Sequence, residues 1–163
     1  MIRPAPAPQS IFTGVFLLLA AFVFAVAPIP LVLRSVGILA CAYLGFAMGG
    51  MPWAYLAALL APPLGLLAGD SEWLVMMPVV LSGNLLGMLG LEYAWRWPAL
   101  ILSPALLIAP QLATLLLSQR TLFRVELPWE PNAAGWVLLH ALIAVGGILA
   151  AILLERRRLK HDA

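Results

Sequence analysis

Six apolar runs follow one another along this chain, separated by short breaks of polar residues, proline or glycine. About 20 mostly apolar residues carry a helix across the hydrocarbon core of a bilayer. Six such runs consume most of the 163 residues. Within a bilayer a helix satisfies its backbone donors and acceptors inside its own segment, so apolar runs of this length are read as helices. The composition agrees, with 64% of residues hydrophobic and 10% charged. Soluble domains average about 45–50% and about 25% respectively. A water-soluble fold this apolar could not cover its surface with polar atoms, and disorder fails on the same numbers. The expected fold class is an all-α integral membrane protein, a bundle of six short transmembrane helices. No length remains for a soluble catalytic or DNA-binding domain.

The breaks set the organisation. Residues 1–10 contain Arg3-Pro4-Ala5-Pro6-Ala7-Pro8, whose alternating prolines remove helical donors, so this tail is expected to be disordered. The first run, 11–27, ends in Ala25-Val26-Ala27, which mimics a signal-peptidase site. Pro28 stands just after that cut and Arg3 is the only charge before the run, so the run is read as a span. Pro28-Ile29-Pro30 then turns the chain into a second span over 31–48. Gly49-Gly50-Met51-Pro52 leads into 53–68, and Gly69-Asp70-Ser71-Glu72 into 73–91. A boundary rich in charge and aromatics, 92–97, precedes the fifth span at 98–117. The loop 118–132 carries Arg120, Arg124, Glu126 and Glu130, and the sixth span covers 133–154. One transmembrane domain, 11–155, is therefore expected between the Pro/Ala tail and a basic cytoplasmic tail, 156–163.

Six spans put both termini on one side. That side holds Arg3, Arg96, Arg156, Arg157, Arg158 and Lys160, whereas the other holds Arg34, Arg120 and Arg124. Basic residues gather on the cytoplasmic side, so both termini are expected there, in the plasma (inner) membrane. All six tryptophans fall at or near the expected interfaces, where amphipathic rings settle. The net charge of +2, with no basic stripe interleaved with aromatics, gives no sign of a nucleic-acid partner. A lone Cys41 excludes an internal disulfide and a cysteine-based metal site. Two histidines and scattered carboxylates do not make a metal centre either, and no cofactor is expected.

Small residues recur at helical spacing in Ala21/Ala25, Gly45/Gly49, Ala57/Ala61, Gly83/Gly87 and Gly146/Ala150. Such pairs let helices approach closely in lipid, either within the chain or against a partner subunit. Pro62-Pro63, Pro78, Pro104 and Pro110 lie inside spans, where they kink helices or form the broken helices of a binding site. The polar side chains within spans are Ser82, Asn84, Ser103, Gln111, Thr114 and His140. Formal charges stay near span ends, which disfavours an ion-coupled pump. Asn84 must find partners, on another helix or on a ligand. Ser82-Gly83-Asn84 lacks the flanking glycines and an assignable base of a nucleophile turn, and no glycine-rich phosphate loop is present. No catalytic constellation emerges, so the chain is not expected to be an enzyme.

The stretch Pro78-Val79-Val80-Leu81-Ser82-Gly83-Asn84-Leu85-Leu86, ending near Arg96, resembles the fourth helix of some substrate-binding (S) subunits of energy-coupling-factor transporters. The length, the six short spans and the Ala21/Ala25 pair are similar too. The resemblance implies capture of a vitamin-like solute near the outer face. It also implies docking through Ala21 and Ala25 on a coupling subunit, with a separate ATPase module supplying energy. The first connection, Pro28-Ile29-Pro30, is shorter than the ligand-covering loop of many such subunits. Gly65-Leu66-Leu67-Ala68-Gly69-Asp70 in turn resembles the Gly-Leu-Leu-x-Asp region of the rod-shape membrane protein MreD, with the acid shifted by one residue. That likeness implies a membrane scaffold for cell-shape and cell-wall synthesis partners.

The leading expectation is a solute-capturing transporter subunit with an outward site between helix ends. Arg34 would hold an anionic group, Trp73 would stack on a ring and Asn84 would fix orientation. Asp70, with Glu72 or the 118–132 loop, would complete the site. Each of these residues is equally readable as a packing or interface anchor.

Overall fold

The computed structural model describes residues 8–118, 127–128 and 132–161, with side chains from 11 to 157 within those ranges. The helices are α1 (Pro8–Val26), α2 (Leu31–Gly49), α3 (Met51–Leu64), α4 (Ser71–Tyr93), α5 (Ala99–Ser118) and α6 (Ala133–His161). A 3-10 turn, Gly65–Ala68, extends α3, and no strand occurs among the described residues. The all-helical fold expected from the apolar runs is therefore present. Five of the helical segments are long and apolar enough to cross a membrane, taking α3 together with its 3-10 turn. The apolar part of α1, Ile11–Val26, is shorter than these five.

Local chemistry explains several boundaries. α1 starts at Pro8, within the stretch expected to be disordered, because proline suits a first helical turn where its missing N–H has no partner to lose. The rest of that tail, with Arg3, lies outside the described residues. α3 stops being regular at Pro62 and Pro63, which remove two successive donors, and the chain tightens into the 3-10 turn. Gly69 then takes a left-handed conformation (φ 69°) that favours glycine. Asp70 caps α4, its carboxylate accepting from the N–H groups of Glu72 at 2.9 Å and Trp73 at 3.4 Å. α6 runs on as helix to His161, so the basic tail continues the last span.

Contacts sort the helix ends. Tyr55 with Glu92, Phe46 with Trp95 and Arg96 with Glu155 meet at one end, here the near end. Arg34, Ala25, Gly65 and Asp70 meet at the other, the far end. Helices α2, α3, α4, α5 and α6 each pack on the next, and α6 returns to α2. α1 lies against α2 and α3. The core includes Ile38, Leu39 and Tyr43 of α2, Trp73, Met76 and Met88 of α4, and Leu107 and Ile148. Glycine makes two of these seams possible. A Cβ on Gly83 would lie 2.7 Å from the Leu107 carbonyl oxygen, so α4 and α5 touch backbone to backbone there. At Gly147 of α6 the same space is taken by Tyr43 of α2.

Candidate binding site

Three of the four residues expected to hold a ligand come together at the far end. Arg34 lies in the first turns of α2 and is 2% exposed. Its Nε donates to the Ala25 carbonyl at 3.1 Å, and its Nη2 donates to Ala25 and, at 3.4 Å, to Gly65. Its Nη1 pairs with Asp70 at 2.5 Å, and its guanidinium carbon sits 4.5 Å from the centre of the Trp73 ring. The Trp73 Nε1–H donates to the Pro62 carbonyl at 2.8 Å.

Helix ends underlie these bonds. Ala25 lies where α1 ends, so its carbonyl has lost the N–H four residues on, while Gly65 opens the 3-10 turn, whose i→i+3 pattern already pairs its carbonyl with the Ala68 N–H. In the chain, the Ile29 N–H turns back to Ala27 and the Gly69 N–H to Leu66. Arg34 supplies the missing donor to Ala25 and a second, longer bond to Gly65, and its positive charge meets the negative C-terminal ends of two helix dipoles. Asp70 brings negative charge to the N-terminus of α4, the matching end. The cluster thus satisfies α1, the 3-10 turn and α4 with one buried guanidinium. Its donors and the Trp73 face are committed to the chain's own groups.

Asn84 follows the same logic deeper in the bundle. Pro62 has no N–H, which deprives the Ala58 carbonyl of its helical partner. Asn84 Nδ2 donates to that carbonyl at 3.2 Å, and Asn84 is 1% exposed. The structure therefore bonds this amide across the α3–α4 seam. Ala21 and Ala25 have no exposed surface at all. They lie in the buried core where α1 meets the rest of the bundle, so the partner-docking face expected at these two residues is not on the surface. The residues of the 118–132 loop named above, Arg120, Arg124, Glu126 and Glu130, lie outside the described residues. Glu72 is exposed beside the cluster.

Two further polar bridges cross the interior. The His140 Nδ1 lies 2.8 Å from the Trp136 carbonyl, which can only accept, so Nδ1 carries a proton. In the neutral ring Nε2 then accepts from the Ser35 hydroxyl at 2.7 Å, tying α6 to α2. His140 also stacks on Trp136, with ring centres 4.7 Å apart. Ser103 donates to the Gly87 carbonyl at 2.7 Å, which leaves its oxygen to accept from Tyr43 at 2.6 Å. That chain links α2, α5 and α4.

The open space lies elsewhere, along the α2–α6 seam. A groove of about 490 Å³ opens at the far end between Pro30, Leu31 and Val32 on one side and Trp136, Leu139 and Leu142 on the other. Pro128, Asn132 and Gly135 close its end. A second recess of about 220 Å³, lined by Ala40, Tyr43, Leu44, Gly146 and Ala150, continues along the same seam and shares Leu142. A Cβ on Gly146 would meet nothing within 4 Å, so this glycine borders free space. The walls are mostly apolar, with Asn132 as the polar side chain near the mouth. Sequence reasoning missed this groove. Its only local signals were the Gly146/Ala150 pair and the Pro128 and Asn132 break before α6.

Among the described residues no three of His, Cys, Asp and Glu gather as a metal site would require. No protein-family model, curated protein or solved structure matches this chain.

Proposed function

We propose that this chain is a membrane-embedded solute-capturing subunit of a multi-subunit transporter, holding a small vitamin-like molecule in the far-end groove between α2 and α6. The observation that carries the reading is the groove itself. Its volume of about 490 Å³ falls in the range of about 300–1,000 Å³ typical of small-molecule sites. Apolar walls with a few polar groups at one end suit a mostly apolar solute bearing a hydrogen-bonding head. In this reading the Arg34 cluster is a rigid clamp beside the site, not the ligand's own partner. All six helices, α1 included, cross the plasma (inner) membrane, with both termini cytoplasmic and the groove outward. The chain has no catalytic role, and its energy comes from coupling and ATPase partners.

The test is thermal stabilisation of the purified full-length chain by a broad panel of vitamins and metabolites. A true ligand at about 100 times its Kd contributes about 2.7 kcal/mol of stability. Leu139→Trp, which fills the groove, abolishes that gain while the unliganded chain still folds. Absence of stabilisation across the panel overturns the capture reading, and an unchanged gain in Leu139→Trp overturns the groove as its site. Cysteine labelling that finds the C-terminus outside overturns the topology.

A membrane scaffold for cell-wall synthesis partners is the second reading. A partner within the bilayer would meet the outward row on α1, where Phe12 (80% exposed), Phe16, Leu19 and Val23 present large side chains along one face that lipid otherwise covers. Co-purification with cell-wall synthases, lost on Phe12→Ala/Phe16→Ala, supports it over solute capture.

A further inference from the structure

At the near end, two elements bring paired residues to one patch. The turn between α4 and α5 supplies Arg96 and Trp97, and α6 supplies Glu155 and Arg156 as it leaves its apolar span. The Arg156 guanidinium stands over Trp97, 5.6 Å from the ring centre. Arg96 Nη2 is 4.0 Å from Glu155 Oε1, beyond hydrogen-bond distance, and the Arg96 side chain is 64% exposed. Such an exposed, loosely paired carboxylate is readily exchanged, which leaves Arg96 able to turn to another oxyanion. Glu92, the other acid at this end among the described residues, accepts a hydrogen bond from the Tyr55 hydroxyl at 2.6 Å.

The patch lies where the apolar spans end, and its aromatics mark the headgroup level. Trp97 is 58% exposed, and indole rings settle at this depth of a bilayer. At 5.6 Å the Arg156 guanidinium is within cation–π reach of the indole, which keeps it beside the ring while its N–H groups can still donate to an oxyanion. Arg96 itself adopts φ 77°, alone among described non-glycine residues in the left-handed region. Side chains take that conformation at a cost, and such outliers gather at functional positions. Two guanidinium groups in a polar–apolar boundary match a phosphodiester, whose oxygens accept forked N–H pairs.

We propose that this patch binds the phosphate headgroup of an anionic phospholipid, with Arg96 and Arg156 donating to the phosphate and Trp97 holding Arg156 at headgroup depth. The site is separate from the far-end groove and does not rest on the solute reading.

The test counts lipids retained by the full-length chain in native mass spectrometry, from micelles doped with phosphatidylglycerol or phosphatidylcholine. The chain retains phosphatidylglycerol preferentially, and Arg96→Gln and Arg156→Gln each lower that preference about five-fold, as expected for one arginine at a membrane surface. Trp97→Leu lowers it comparably without removing a charge, and Arg156→Lys, which keeps the charge but loses the fork, lowers it as well. Arg157→Gln, the same charge loss one residue on, has a smaller effect. Melting temperatures of all variants without added lipid confirm that each is folded. Equal retention of the two lipids overturns the proposal, as does an Arg157→Gln effect equal to that of Arg156→Gln, which would mean diffuse attraction. Inorganic phosphate that protects against thermal unfolding as well as phosphatidylglycerol does would assign the patch to free phosphate and also overturn it.

Discussion

Asn84 and Pro62 offer a clean measurement of what holds α3 and α4 together. Pro62 leaves the Ala58 carbonyl without its helical N–H, and Asn84 Nδ2 occupies that place at 3.2 Å. Both Asn84 and Ala58 are buried, at 1% and 0% exposure, so water cannot substitute. Leaving a buried carbonyl unmet costs about 1–3 kcal/mol in soluble proteins. Interhelical bonds within membranes average about 0.6 kcal/mol and reach about 1.7. A bond at 3.2 Å is at the long end of the normal range, which places its contribution at about 1 kcal/mol. Asn84→Ala also opens a cavity, so the single-variant cost exceeds the bond alone. Pro62→Ala restores the backbone N–H at position 62, after which the Ala58 carbonyl no longer needs the amide. The double-mutant cycle cancels the cavity and isolates a coupling of about 1 kcal/mol. Reversible unfolding in mixed micelles of increasing SDS content, followed by tryptophan fluorescence, reads all four free energies. If Asn84→Ala costs the same in both backgrounds, within about 0.3 kcal/mol, the substitution of side-chain for backbone donor is refuted.

The same unfolding assay separates other contributions. Gly83→Ala forces a methyl group against the Leu107 carbonyl at 2.7 Å and destabilises by about 1–3 kcal/mol; Gly146→Ala meets open space and is neutral or slightly stabilising. Equal effects at the two glycines would show that α4 and α5 do not touch as described. Ser103→Ala removes two bonds and strands the Tyr43 hydroxyl, whereas Tyr43→Phe removes one and costs about 0.5–1.5 kcal/mol; the reverse order would contradict the donor directions. Arg34→Leu orphans the Ala25 carbonyl, leaves Asp70 without its ion-pair partner and costs about 1–3 kcal/mol. Asp70→Asn keeps an acceptor for the α4 cap and costs less, because Asp70 is partly exposed. A larger loss from Asp70→Asn would mean that the ion pair, not the carbonyl capping, dominates the cluster.

The candidate site was legible in its residues but not in its meaning. Arg34, Asp70, Trp73 and Asn84 stand out because polar groups beside apolar runs need partners. A ligand and a chain carbonyl present the same need to a donor. What decides between them is which backbone groups the fold leaves unpaired, and here those are the end of α1 and the gap made by Pro62. The proline pair was visible, but the amide that answers it lies 22 residues away on another helix. Ala21 and Ala25 show the same limit. Their spacing requires a close helix neighbour, yet it does not say whether that neighbour belongs to this chain.

By itself the sequence determined the helical state, helices long and apolar enough to cross a membrane, and most helix boundaries. Apolar length, proline, glycine and the Asp70 cap act locally, so they can be read locally. Only the tertiary structure decided which polar side chains are spent on the chain's own backbone and where free volume remains. Pairing and packing depend on contacts between residues distant in the chain. The smaller recess on the α2–α6 seam exists because Tyr43 presses against Gly147 while nothing fills the space beside Gly146, a difference between adjacent glycines that composition cannot express.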